Sequence, residues 1–230
     1  MNDSKIILAL DGLPPREALR LMRELGPHLY AVKIHDLYDS AGPVIVRMLQ
    51  LACSHPLVWV DYKLYDIPET MERRAKALVA NGAGIISAAA EAGCDGMRAV
   101  KESGAIVYAV TVLTSEPPEV TRSRTGKNTN EAVLHRAIQA AAAGVDGVVC
   151  SAQEIGMLRS HDFIGRMLKR VAVGVRSRGI AVNDQQRIGT PRQAIADGAN
   201  HFVIGRELTR ADDPIAEFHR VVEDVGLVPA

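Results

Sequence analysis

The chain has 230 residues, enough for one large domain or two small ones and for a sizeable buried core. Its 27 basic and 27 acidic residues cancel, so no global field favours nucleic acid or a membrane surface, and an aromatic content of 4% argues further against base stacking. Cys53, Cys94 and Cys150 are odd in number and include no CxxC pair, which speaks against a disulfide framework or a structural zinc site. With no signal-peptide layout and no apolar run long enough to span a bilayer, a soluble cytoplasmic globule is expected.

Residues 6–10 form a short continuous apolar run ending at Asp11-Gly12, the pattern of a strand buried on both faces. Residues 14–25 then show helical spacing through Ala18, Leu21, Met22 and Leu25, with Gly26 as a stop. A second strand is expected at 30–34, with Lys33 near its end, and a helix at 44–53. The third strand, 58–61, runs straight into charged residues and then into a helix at 68–80 that Pro68 can open. Residues 85–86 mark a weak fourth strand, followed by a helix at 96–102. A strong fifth strand lies at 105–113 and an Ala-rich helix at 131–143. The sixth strand is expected at 145–150, with a helix at 152–159, and the seventh at 171–175, with a short helix at 191–197. A last strand at 201–204 and a last helix at 214–225 complete the series.

Eight strands alternating with helices match the α/β class and, within it, the (β/α)8 TIM barrel, whose usual length is ~250 residues. The expectation is one barrel domain spanning residues 1–230. A doubly wound dinucleotide fold would need GxGxxG after the first strand, and Asp11-Gly12-Leu13-Pro14-Pro15 stands there instead. Two connections, 115–130 and 176–190, are long and polar. Both follow strand C-termini, where barrel active sites lie, so each reads as a binding loop or as solvated surface.

The most informative stretch is Asp61-Tyr62-Lys63-Leu64-Tyr65-Asp66-Ile67-Pro68-Glu69-Thr70. Side chains alternate along a strand, so Asp61 and Lys63 should share a face, with Trp59 a layer below. Three charges of alternating sign at the mouth of a buried strand are costly to desolvate unless they pair or do chemistry. Other polar residues recur at strand ends: Asp11, Lys33, Thr114, Arg176, Gly205 and Arg206. In a barrel they converge on one mouth, and the arginines after strands seven and eight fall where barrels commonly hold a phosphate. Gly205 permits close backbone approach and Arg206 can fork two phosphate oxygens. The residues alone therefore reach a barrel enzyme acting on a phosphorylated small molecule through a lysine flanked by carboxylates.

The same ten residues resemble the DxKxxDIPxT signature of the orotidine 5'-phosphate decarboxylase family. Leu8-Ala9-Leu10-Asp11, Val32-Lys33-Ile34, Val110-Thr111-Val112-Leu113-Thr114-Ser115, Val148-Val149-Cys150-Ser151-Ala152, Asp184-Gln185 and Val203-Ile204-Gly205-Arg206 are similar to that family too, in the same order. The resemblance implies decarboxylation of orotidylate to uridylate in de novo pyrimidine biosynthesis, without metal or organic cofactor, in a barrel that forms a homodimer. It implies that Lys63 protonates C6 as carbon dioxide leaves, that Asp61 sits beside the substrate carboxylate, and that Lys33 holds Asp61 and a ribose hydroxyl. Asp11 matches the ribose-binding aspartate and Thr114 the residue touching the base. Arg176, Gln185, Gly205 and Arg206 match the phosphate grip. Asp66, Ile67 and Thr70 match residues that reach the neighbouring subunit's site.

The chemistry agrees with those roles. Decarboxylation at C6 leaves a carbanion with no adjacent carbonyl to accept its charge, so a fixed ammonium serves both as electrostatic stabiliser and as proton donor. Carboxylates on either side favour the ammonium form of a lysine. Phosphate binding energy can drive loop closure over the base.

The chain departs from the family pattern at three places: Ser87-Ala88-Ala89-Ala90-Glu91-Ala92-Gly93 after the fourth strand, His35 beside Lys33, and Val173 before the Gly-Val-Arg of the seventh strand. A histidine at position 35 is expected to pack or cap. Three other readings compete. A hexulose-phosphate-synthase-like aldolase shares a DxKxxD core and needs a divalent metal, but the Ile67-Pro68-Glu69-Thr70 continuation points away from it. A homologue that binds nucleotide without turnover would fit the altered segment after the fourth strand. A purely structural barrel leaves the Asp-Lys-Asp array unexplained.

Overall fold

Eight apolar runs become eight parallel strands that close in sequence order into one (β/α)8 barrel. They are β1 (Ile6–Ala9), β2 (Ala31–Ile34), β3 (Leu57–Leu64), β4 (Ile85–Ala89), β5 (Ile106–Val110), β6 (Gly147–Ser151), β7 (Lys169–Val173) and β8 (His201–Ile204). The structure is a computed structural model and describes residues 4–54, 56–177, 187 and 189–226. The ring closes where Ile7 of β1 lies opposite Val203 of β8. Among the described residues, no helix is long and apolar enough to cross a membrane.

The strands are apolar on both faces because both faces are covered. Along β1, Ile6 and Leu8 pack outward against the helices, while Ile7 and Ala9 point into the barrel. Trp59, Ile85, Tyr108 and Val171 join Ile7 inside, so the barrel is a packed plug with a solid floor. Trp59 meets Tyr108 edge to face at 5.4 Å, directly beneath the mouth.

The helix Pro68–Ala80 shows how the outer layer forms. Pro68 is its first residue, after an extended Ile67, and Glu69 lies in the first turn, where a carboxylate favours the helix dipole. Met71, Ala75 and Leu78, spaced by four and three, are its buried stripe. Its neighbour Gly93–Lys101 comes close through Gly96, where an added Cβ would lie 2.9 Å from Met71 Sδ. Met71→Ala would open a cavity costing about 2–5 kcal/mol.

The structure refines the sequence reading at several places. The third strand extends to Leu64, past the expected end at Asp61, so Lys63 lies within the strand and does not follow it. The fifth strand ends at Val110, and Thr111 to Thr114 form the connection above it. The polar stretch 115–130 contains a helix, Pro118–Thr125, entered through an extended Pro117 and closed by a left-handed Gly126. It was hidden because only Thr121 is buried in it, which leaves no apolar period to read. Helices Asp36–Ala41 and Asp162–Met167 escape for a related reason, since each buries a single side chain, Leu37 and Ile164, and so shows no apolar period. The second long connection lies mostly outside the described residues, but Arg176, Ser177, Arg187, Gly189 and Thr190 are described.

Candidate active site

The site begins with an irregularity in the sheet. Between the pairs Val60–Ile86 and Leu64–Ala88, β3 has three residues where β4 has one, Ser87. Such a bulge re-aims side chains at the end of a strand. Lys63 takes φ 48° there, the left-handed region, and is the one such non-glycine among the described residues. For an L-residue this costs roughly 1–2 kcal/mol, so the surroundings must hold it.

They do so with charge. Lys63 Nζ lies 2.9 Å from Asp61 Oδ2, and Lys33 Nζ lies 3.3 Å from the same oxygen. Lys33 Nζ also donates to Asp11 Oδ2 at 2.7 Å. The Ser87 hydroxyl donates to Asp61 Oδ1 at 2.7 Å. Four charged groups from the turn after β1 and from β2 and β3 thus alternate in sign across the mouth. Asp61 and Lys33 are buried, whereas Lys63 keeps about a third of its side chain open to the cavity. Burial pushes the Asp61 carboxyl up, but Lys33, Lys63 and Ser87 outweigh it and hold it below the ordinary carboxylate range. Burial likewise pushes Lys33 down, and Asp61 with Asp11 outweighs that and raises it. Both groups are therefore ionised at neutral pH.

The array forms one wall of a cavity of about 510 Å3, a size suited to a nucleotide-sized ligand. Trp59 forms part of the floor, and Thr114 lines the side above β5. Arg176, Gly205 and Arg206 line the same cavity from the ends of β7 and β8, joined by Arg210. A cation-rich side thus faces a mixed-charge side across one pocket. Gly205 and Ala9 both line the cavity, and a Cβ added at position 205 would meet the Ala9 Cβ at 3.4 Å. Gln185 lies outside the described residues.

Asp66, Ile67 and Thr70 do not line this cavity. Asp66 and Ile67 are exposed just beyond the mouth, where Asp66 Oδ1 accepts the Ile67 N–H at 2.7 Å. His35 is exposed and packs edge-on to Tyr62 at 5.8 Å, with no capping hydrogen bond from its side chain.

Several residues that shape the site were not legible beforehand. In the sequence Ser87 stands out only as a departure from a family pattern, yet it touches both Asp61 and Lys63. Arg187 is buried and donates to the Val112 and Leu113 carbonyls at 3.1 Å each, with its Nε 3.1 Å from Glu154 Oε1. It ties the connection after β7 to those after β5 and β6. Glu91, after β4, takes Arg136 and Arg124, and Arg124 also pairs with Glu116 at 2.8 Å. This network anchors the helix Pro118–Thr125 beside a side cavity of about 180 Å3 that Lys63 also lines. Each of these contacts joins residues 24 or more positions apart in the chain, so spacing carries no trace of it; Arg124–Glu116, eight apart, is the exception.

Among the described residues, no three His, Cys, Asp or Glu side chains form a group that could hold a metal ion. A (β/α)8 barrel whose mouth cavity is lined by arginines and by a lysine–carboxylate array has the layout of the (β/α)8 enzymes, whose active sites lie at that end. The chain belongs to the Orotidine 5'-phosphate decarboxylase / HUMPS family, which it matches over residues 4–221. A curated relative from Nitrosococcus oceani, named orotidine 5'-phosphate decarboxylase, is 36% identical, with 99% of this chain and 100% of the relative covered. One of the same name from Streptococcus pneumoniae is 37% identical, with 97% of each covered. The crystal structure of orotidine 5'-phosphate decarboxylase from Lactobacillus acidophilus superposes with a TM-score of 0.82 at 28% identity, covering 96% of this chain and 99% of that one.

Proposed function

We infer that this chain decarboxylates orotidine 5'-phosphate to uridine 5'-phosphate in pyrimidine biosynthesis. The observation that carries the reading is the alternating Asp11–Lys33–Asp61–Lys63 array on one wall of a cavity whose other side carries arginines. Full-length relatives at 36% and 37% identity carry the same name.

Arg176, Arg206 and the Gly205 backbone, with Gln185, grip the phosphate; Asp11 and Lys33 hold the ribose; Thr114 contacts the base. The substrate carboxylate is thereby brought toward Asp61, which is kept ionised. Two carboxylates in one water-poor cavity repel, and departure of neutral carbon dioxide relieves that repulsion. The bond from C6 to the carboxyl carbon breaks and its electron pair stays on C6. The Lys63 ammonium faces that charge as it develops and then gives its proton to C6. Lys63 is left as a neutral amine and is recharged from solvent after product leaves. No organic cofactor or metal enters this scheme.

Asp66, Ile67 and Thr70 act in a second subunit's site across a homodimer interface. Their position outside their own cavity, with Asp66 and Ile67 exposed, supports that assignment. The cytoplasm is the compartment this activity fits.

The test follows the ultraviolet change of orotidylate on conversion to uridylate, with and without a chelator. Turnover indifferent to chelator is expected. Absence of turnover with tight nucleotide binding would make the chain a binding homologue, and metal-dependent aldol chemistry would place it with the aldolase branch of its family.

A further inference from the structure

Ser87 occupies the gap in the β3–β4 ladder, the single β4 residue opposite Asp61, Tyr62 and Lys63. It is fully buried and does not line the cavity. Two neighbours use its one hydroxyl in opposite senses. The Oγ donates to Asp61 Oδ1 at 2.7 Å and accepts the Lys63 backbone N–H at 3.0 Å. An ionised carboxylate can only accept and an amide N–H can only donate, so the direction of both bonds is set by chemistry. The hydroxyl has one orientation.

Each bond answers a need that, among the described residues, no other side chain meets. Asp61 Oδ2 carries both lysines, at 2.9 and 3.3 Å, while Oδ1 carries Ser87. With a partner on each oxygen the carboxylate plane cannot turn. The bulge takes the Lys63 N–H out of the strand ladder, and the positive φ at Lys63 directs it to the Ser87 oxygen instead. A buried backbone N–H without a partner would cost about as much as a lost hydrogen bond.

We propose that Ser87 is a positioning residue for the decarboxylation, fixing the plane of the Asp61 carboxylate and the strained backbone from which the Lys63 ammonium is aimed. The inference rests on the function inferred above. Ser87 touches neither substrate nor cavity and acts through those two residues alone. A hydrogen bond to a charged group in a dry site transmits more than an ordinary one, so its removal reaches the reaction.

The experiment compares Ser87→Ala and Ser87→Thr with the unaltered enzyme in kcat, KM and the acid limb of the kcat–pH profile. It also follows the 13C titration of the Asp61 carboxyl, assigned by its loss in Asp61→Asn. For Ser87→Ala we expect kcat lower by about 10- to 100-fold, KM within about threefold, and both the acid limb and the Asp61 titration moved to higher pH. Ser87→Thr keeps the hydroxyl and should return the acid limb and the titration to their original positions. If Ser87→Ala does not fold, Ser87→Cys, similar in size with only a weak thiol donor, takes its place with the same expectations. A kcat within twofold of the unaltered enzyme, or a loss of activity with acid limb and titration unmoved, overturns the proposal. The titration needs no turnover: if the unaltered enzyme leaves orotidylate intact, the inferred function falls, while an unmoved Asp61 in Ser87→Ala refutes the positioning bond itself.

Discussion

At the C-terminal mouth of the barrel, Asp61 and Lys33 are buried as ions, each held by partners of opposite sign. At the N-terminal end, His201 is buried as a neutral ring, stacked on Tyr30 at 3.8 Å with Lys169 and Lys5 nearby. Burial, with those two lysines, pushes its pKa down to about 3. The Tyr30 and Tyr108 hydroxyls meet at 3.2 Å at the same end, and the Asp146 carboxylate takes Lys101 at 2.7 Å and the Val107 N–H at 2.7 Å. The mouth keeps charge in the dry interior and accepts a left-handed lysine to aim it. At the base of the barrel the one strongly buried cation, among the described residues there, is Arg170, held by the Gly165, Leu168 and Gly198 carbonyls, and the Lys101–Asp146 pair stays at the part-exposed edge. The same eight strands thus support both arrangements, because a desolvated ion is tolerable where it finds several partners, neutral carbonyls at the base and opposite charges at the mouth.

The sharpest way to break this comparison is Lys63→Ala. It should lower turnover by at least about 10^4-fold, through loss of proton donor and electrostatic stabiliser together, while thermal unfolding shifts by only a few degrees. Activity within tenfold of the unaltered enzyme would remove Lys63 as the donor and make the mouth no different in kind from the base.

If the mouth is completed by a neighbouring subunit, mixing inactive Lys63→Ala with inactive Asp66→Ala should restore about one quarter of full activity. Random exchange makes half the dimers mixed, and each mixed dimer has one intact site of its two. No recovery after verified subunit exchange would return Asp66 to its own chain.

The two ends should also separate by pH. The folded pKa of His201 lies below its unfolded value, so the unfolded chain binds the proton first as pH falls below ~6.5, and stability is lost from there toward pH 3. At pH 5 that loss is about 2 kcal/mol. Asp61, also depressed, contributes stability that is present above ~3.9 and is lost only as pH falls through its folded value. Urea unfolding of His201→Phe should therefore show about 2 kcal/mol less destabilisation between pH 7 and 5, with turnover at pH 7 unchanged. An equal acid slope in both proteins would mean that His201 is not the group responsible.

The smallest effect is expected from Lys101→Ala, which removes a pair one-third exposed on each side. Solvent screening limits the loss to about 0.5–1 kcal/mol, a few degrees of melting temperature, with kcat and KM unaltered. A change in either kinetic constant would show that the base of the barrel communicates with its mouth.

Much of this was readable from local pattern. Residues 201–204, 68–80 and 214–225 have in the structure the bounds their apolar period and flanking Pro or Gly suggest. Asp61, Lys63, Lys33 and Asp11 were recognisable because each charge interrupts or ends a run of apolar residues. The bulge was not, since nothing in Val60-Asp61-Tyr62-Lys63-Leu64 says that three residues must oppose one. Ser87 had no signal beyond being polar in an apolar strand, and Arg187 none beyond its charge.

The amino-acid sequence by itself determined the barrel, the order of its strands and the charges at their ends, because a strand buried on both faces must be apolar throughout and advertises every exception. Only the tertiary structure decided which of those charges meet, that Lys63 pivots through a left-handed backbone onto the oxygen Lys33 also holds, and that Ser87 closes the gap. Those outcomes depend on the register between neighbouring strands and on contacts across more than twenty residues of chain. Neither has a local period, so neither could be read before the sheet was closed.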